Sequence, residues 1–333
     1  MRSTKRWAAQ AVGYAFLAGL LYLTASVAVF GLSVVLLQKG RIPANALIRE
    51  EQQAVYIMGL RHIWQSEPGC SQFDADLLYK PALGPCHFAN PEYQTVLNFD
   101  AQEGRLSPGP RPRGRGIAVI GDSHAMGWGV NDDQTFAALM QRDLKRPVYN
   151  LGVASYGTFR ELQRLQMSGL LDKVDTIIIQ YCDNDIIENQ EKLAKPGSPS
   201  EAQYQAMLSD LRPSALGFLK EWVKIAVKKP IKIALHAVHK PSDFYDFAPH
   251  VEPLFKVLEL YPWIKTKRVL MFYSNDHGHH FSNFTELAKA PVGSGVRFVD
   301  LGMGPEYYYR IDDHMTPAGH AEAAKRLEAL LAK

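Results

Sequence analysis

A chain of 333 residues has room for one large domain or two modest ones, each with a full hydrophobic core. With 47% hydrophobic and 21% charged residues it has the composition of a folded globular protein, which excludes a disordered or fibrous chain. A net charge of +3, with no basic stripe, gives no case for a nucleic-acid partner.

From Trp7 to Leu37 no charged residue occurs. That run exceeds the roughly 20 apolar residues needed to cross a bilayer core. Arg2, Lys5 and Arg6 precede it, so the positive-inside rule predicts residues 1–6 in the cytoplasm and the chain beyond about Lys39 outside. The apolar core of a cleaved signal peptide is about 7–15 residues and ends in small residues. This run is about twice as long, and Val29-Phe30-Gly31 is a poor cleavage site. A single-pass inner-membrane anchor over residues 7–37 is therefore expected rather than a cleaved leader, with the rest of the chain periplasmic.

Residues 38–115 read as a membrane-proximal region. Cys70 and Cys86 bracket a loop-rich stretch, and an oxidising compartment would let them pair. Closing a loop of this size would stabilise the fold by on the order of 3 kcal/mol. The Pro-, Gly- and Arg-rich stretch 106–116 reads as an ordered linker with solvated arginines.

From Ile117 onward, apolar runs alternate with helical periodicity. The runs are 117–121, 147–152, 174–181, 267–273 and 296–302. Between them Phe136, Leu139, Met140 and Leu144 share one helical face, as do Phe159, Leu162, Leu165 and Leu170. Thr316-Pro317 is a cap and first-turn signal for a last helix carrying Ala323, Ala324, Leu327, Leu330 and Leu331. Strands without alternation, separated by helices, predict an α/β fold with a parallel sheet covered on both faces. Residues 186–266 are too long for a simple crossover and are expected to form a helical insertion.

In such a sheet, ligands bind beyond the carboxyl ends of the strands. Those ends carry Gly121-Asp122-Ser123-His124, Asn150-Leu151-Gly152, Cys182-Asp183-Asn184-Asp185 and, before the last helix, Asp312-Asp313-His314. Ser123 is the candidate nucleophile. His314 is its candidate base, and Asp312 the carboxylate that orients the ring. Asp313 is the other available carboxylate; Asp312 is preferred because adjacent side chains such as Asp313 and His314 tend to point apart. The Ser123 and Gly152 N–H groups and the Asn184 amide are candidate oxyanion donors. His124, Asp183, His277 and Tyr309 are candidates for the substrate rim. The cluster Asp276-His277-Gly278-His279-His280 reads as polar rim rather than a metal site, because consecutive loop histidines are weaker ligands than a helical pair. Cys182 reads as a packed thiol, and the lysines at 228, 229 and 232 as a solvated face.

Ser123 in GDS, Gly152 in NLG, Asn184 in CDND and His314 in DDH resemble the four blocks of the SGNH (GDSL) hydrolase superfamily, in order, over about residues 116–333. The resemblance implies a three-layer, flavodoxin-like αβα domain. It implies a serine ester hydrolase or O-acyltransferase with no metal or other cofactor. Two positions depart from the family pattern: Cys182 stands where the third block has Gly, and Ile311 where the acid commonly precedes the His by three. The expected substrate is an acylated cell-envelope glycan or another small ester, attacked through an acyl-enzyme on Ser123. An O-acyltransferase using the same residues, or a non-catalytic glycan-binding subunit, are the alternatives.

Overall fold

The computed structural model describes residues 2–42, 49, 52–53, 55–101, 104–195, 197–211, 244–245, 247–274, 280–281, 284 and 295–332. The chain divides into two compact units, one holding the N-terminal helix and the other formed by His62–Arg212 with Ser242–Lys333. The helix, α1, runs Arg2–Gln38. Its stretch Gln10–Gln38 is long and apolar enough to be a membrane span or a signal sequence. Tyr14, Phe16, Leu20 and Leu21 are all exposed on it, as lipid-facing side chains would be.

The second unit opens with a hairpin of β1 (Ser71–Asp74) and β2 (Leu78–Pro81). Next come β3 (Gly84–Asn90), β4 (Tyr93–Asp100) and β5 (Gly104–Arg105). Then β6 (Gly116–Ile120) leads into the short helix α2 (Ser123–Met126), followed by α3 (Phe136–Leu144) and β7 (Val148–Asn150). After α4 (Thr158–Met167), β8 (Val174–Tyr181), α5 (Asp185–Ala194) and α6 (Glu201–Asp210), the described chain resumes at β9 (Phe244–Tyr245). It continues through α7 (Ala248–Glu259), β10 (Arg268–Tyr273), β11 (His280–Phe281), β12 (Val296–Val299) and α8 (Pro317–Leu331). Strands β9 and β11 form a separate parallel pair.

The main sheet has eight strands in the order β12-β10-β8-β6-β7-β5-β4-β3. Its five parallel strands run 5-4-3-1-2 in core numbering, the flavodoxin-like order, with the switch point between the first and third. Ala118 and Ile120 point to one face, where Leu162 and Leu165 of α4 and Leu254 and Val257 of α7 pack on them. Ile117 and Val119 point to the other, beneath Phe136 and Met140 of α3 and Ala323 and Leu327 of α8. This is a three-layer α/β/α architecture, and double-sided burial explains why β6 and the Ile177–Ile179 centre of β8 are continuous apolar runs. The Thr316 side chain accepts from the Gly319 N–H at 3.1 Å, so α8 starts where its cap and proline signal it.

Residues 38–115, set apart above as a membrane-proximal region, contribute more than a linker. Strands β3, β4 and β5 extend the main sheet antiparallel past β7. They build a third core around Trp64, Leu97 and Phe99, which also takes in Met126 and Trp128 close after Ser123 in the chain. Cys70 and Cys86 form a disulfide inside that core. Of the helical insertion expected over 186–266, the described residues supply α5, α6 and α7. Residues 228, 229 and 232 lie outside the described residues, as does His277 with its neighbours Asp276, Gly278 and His279.

Candidate active site

The β6 strand ends in a turn with little freedom. Gly121 has φ +150°, and a Cβ there would sit 2.6 Å from the Ala125 side chain. Gln180, a fully buried polar residue near the end of β8, accepts from the N–H groups of Asp122 (3.1 Å) and Ala125 (3.2 Å). Asp122 caps α2 by accepting from the His124 N–H at 2.9 Å. Ser123 is thus the first residue of a helix. Its N–H has no carbonyl one turn back to bond.

Across the strand ends, the Ser123 Oγ lies 2.7 Å from the His314 Nε2. The other ring nitrogen, Nδ1, is 2.5 Å from an Asp312 carboxylate oxygen and 3.1 Å from Asp313. Both carboxylates therefore face the same nitrogen, Asp312 at the shorter distance and buried, Asp313 half-buried. Burial pulls the His314 imidazolium down, but the charges and hydrogen bonds of Asp312 and Asp313 more than reverse this, and its pKa rises to about 9. The Trp128 ring stacks on the imidazole at 4.7 Å between centroids.

The three candidate oxyanion donors differ in state. The Ser123 N–H is open at the helix start. The Gly152 N–H is taken by the Asn150 Oδ1 at 3.1 Å, although Gly152 itself lets the chain pass close to α2: a Cβ there would meet the Met126 N at 2.4 Å. Asn184 is exposed at the start of α5 and lines a cleft of about 740 Å³ with Ser155, Arg160, Glu188, Lys192 and Gln203. Within that cleft Arg160 and Glu188 pair, the Arg160 Nε donating to a Glu188 carboxylate oxygen at 2.7 Å.

His124, expected at the rim, is instead only 4% exposed. It sits with its Nδ1 3.3 Å from the Ser274 Oγ and its ring 4.8 Å from that of His314. Burial first, then the adjacent His314, hold its pKa well below the ordinary histidine value, so it packs as a neutral ring. Asp183 is half-buried and accepts from the Cys182 thiol at 3.3 Å. Burial, with Asp122, Asp183 and Asp185 nearby, pushes that thiol far above the thiolate range, which makes it inert packing. Tyr309 is half-buried and donates its hydroxyl to the Gly129 carbonyl at 2.7 Å.

Ligand atoms of Asp312, Asp313 and His314 lie within 4.8 Å of one another, the one such grouping among the described residues. A cation there would compete for Nδ1 with two carboxylates that already hold it, so the set fits a hydrogen-bonded triad better than a metal centre.

Several site residues had no voice in the sequence reading. Gln180 had a signal, a polar side chain in a doubly buried strand, which must find partners. Arg105 had none: from two-residue β5 its buried guanidinium donates to the carbonyls of Met126, Gly127 and Val130 and pairs with Asp132, fixing the loop after α2.

No protein-family model matches the chain, and no curated protein matches it either. Solved structures resemble it at low identity. One is a family two carbohydrate esterase from Clostridium thermocellum in complex with cellohexaose, 16% identical over 68% of this chain and 66% of that one, TM-score 0.35. The chain thus spans just under two thirds of that protein. A carbohydrate esterase family 2 enzyme plus carbohydrate binding domain from Corynascus thermopiles (Myceliophthora fergusii) is 15% identical over 69% and 68%, TM-score 0.36. A carbohydrate acetylesterase family member from Sinorhizobium meliloti is 14% identical over 65% and 97%, TM-score 0.30.

Proposed function

We propose that the chain is a serine ester hydrolase of SGNH type. The observation that carries this is the continuous hydrogen-bonded line from the Ser123 Oγ through the His314 ring to the Asp312 carboxylate, with spacings of 2.7 and 2.5 Å. His314 in its neutral form takes the Ser123 proton as Oγ attacks the ester carbonyl. The Ser123 N–H, aided by Asn184, receives the developing oxyanion; the Gly152 N–H joins when Asn150 releases it. His314 then returns the proton to the leaving alkoxide, and water cleaves the acyl-enzyme by the same steps in reverse roles.

The leaving group would lie in the cleft beside Asn184, whose hydrogen-bonding lining of Ser155, Arg160, Glu188 and Gln203 suits a polyhydroxylated alcohol. An O-acylated envelope glycan is the substrate class this supports, and the residues would equally serve transfer to a second sugar hydroxyl. The cationic residues at the start of α1, Arg2, Lys5 and Arg6, and the Cys70–Cys86 disulfide support an anchored enzyme facing an oxidising, extracytoplasmic space.

The full-length chain is expected to hydrolyse p-nitrophenyl acetate and to be labelled on Ser123 by an organophosphonate. Ser123→Ala should lose both, with turnover falling about 10⁴-fold or more. Equal rates for the two proteins would leave a glycan-binding subunit. Incubation with acetylated polysaccharide and an added sugar then separates hydrolysis, seen as free acetate, from transfer, seen as acetylated acceptor.

A further inference from the structure

The tip of the β3–β4 hairpin reaches the acid of the triad. The Tyr93 hydroxyl donates to the Asp312 Oδ2 at 2.8 Å, and the Trp128 indole N–H donates to the same oxygen at 3.3 Å. The direction of the Tyr93 bond is fixed. Asn90 donates its amide N–H₂ to the Tyr93 oxygen at 2.8 Å, so the single phenolic proton is left for Asp312. The Asn90 amide is itself oriented, because its Oδ1 accepts from the His62 N–H at 2.8 Å and its Nδ2 donates to the His62 carbonyl at 3.1 Å. One residue earlier in the hairpin, the Glu92 carboxylate accepts from three successive N–H groups, those of Arg310, Ile311 and Asp312, at 2.8, 2.9 and 2.8 Å.

We infer that Tyr93 and Glu92 are positioning residues for the catalytic acid: Glu92 holds the backbone of the 310–312 loop and Tyr93 holds the Asp312 side chain, so that its Oδ1 meets the His314 Nδ1. A carboxylate is free to rotate about its Cβ–Cγ bond. Two donors on Oδ2 remove that freedom and leave the other oxygen for the imidazole, where a backbone bond from the His314 N–H at 3.2 Å completes the setting. The device lies in the antiparallel extension of the sheet, outside the blocks that carry the chemistry. It is needed because Asp313 offers Nδ1 a second carboxylate. Without Tyr93 the ring can turn toward Asp313, away from the line to Ser123.

This inference rests on the hydrolase reading for its kinetic consequence, and has a readout that does not. In the full-length chain, Tyr93→Phe should lower kcat for p-nitrophenyl acetate by about ten- to a hundred-fold with KM unchanged. The downfield proton resonance of the His314 Nδ1–H should move upfield or broaden. Glu92→Gln should give the same pair of changes at smaller size, and serves if Tyr93→Phe does not fold. A Tyr93→Phe protein that melts at a lower temperature but keeps kcat and the imidazole resonance of the parent would overturn the inference and leave a packing role. Should parent and Ser123→Ala proteins show equal turnover, the hydrolase reading falls, and the resonance alone decides whether Tyr93 sets Asp312.

Discussion

At His314, opposing effects meet within one ring. Burial favours the neutral imidazole, while the two carboxylates on Nδ1 favour the cation and win, setting its pKa at about 9. A general base must be neutral to accept the Ser123 proton, and below its pKa the ring is already protonated. The rising limb of kcat/KM against pH is therefore expected near 9 rather than at the ordinary value of about 6.5. Replacing one carboxylate weakens the stabilisation of the cation, so Asp313→Asn should move that limb to lower pH. A limb that stays put would show that Asp313 does not act on the ring. The same shift has a consequence for folding. A group whose pKa is raised on folding stabilises the native state below the unfolded value, and that contribution fades as pH rises through about 9. The approach of Ser123, His314 and a neighbouring aspartate was legible because each is a residue type that chemistry restricts. Residue type does not choose between Asp312 and Asp313, and Asp313 does not point away from His314 as adjacency suggested, since both carboxylates face Nδ1. Tyr93 and Glu92 were not legible, since a tyrosine and a glutamate at a hairpin tip are ordinary until the partner 219 or 220 residues on is known.

Among the elements, legibility tracked how many faces are buried. Strands β6 and β8 are covered on both faces; β6 and the Ile177–Ile179 centre of β8 are unbroken apolar runs, and both strands could be placed almost to the residue. Strand β4 buries only alternate residues, Tyr93, Thr95, Leu97 and Phe99, and the intervening Gln94, Val96 and Asn98 dilute its signal to that of a loop. Two-residue β5 has no pattern at all, yet Arg105 on it holds three carbonyls of the loop following α2. Those carbonyls are buried, and Asp132, its ionic partner, is only 12% exposed. Arg105→Leu removes the guanidinium from the three carbonyls and leaves the Asp132 carboxylate with only its bonds from Asn98, a loss of about 3–5 kcal/mol for a buried ion pair broken on one side. Urea denaturation should show that drop in stability. A change under about 1 kcal/mol would mean that water replaces the guanidinium and that β5 does not organise the nucleophile loop.

At the scale of the whole second unit, the eight-stranded sheet joins strands on both sides of residue 116. Strands β6 and β7 lead into Ser123 and Gly152, and the antiparallel extension reaches through its hairpin tip to Asp312 beside His314. Composition changes sharply at the Pro- and Arg-rich stretch, whereas the hydrogen bonding between β5 and β7 joins the strands on its two sides. A sheet continuous in this way should unfold as one cooperative body. The disulfide links the residue before β1 to β3 and closes a separation of 16 residues. Removing it by Cys70→Ser with Cys86→Ser should cost on the order of 3 kcal/mol, lowering the urea midpoint of the entire unit. Tryptophan fluorescence, to which Trp64 beside the extension and Trp128 beside His314 contribute among the chain's five tryptophans, should fall in a single transition coincident with loss of ester hydrolysis. Hydrolysis that persists after the Trp64 environment has opened would show that β3–β5 fold apart from the parallel core, and the grip of the hairpin on Asp312 would then be dispensable.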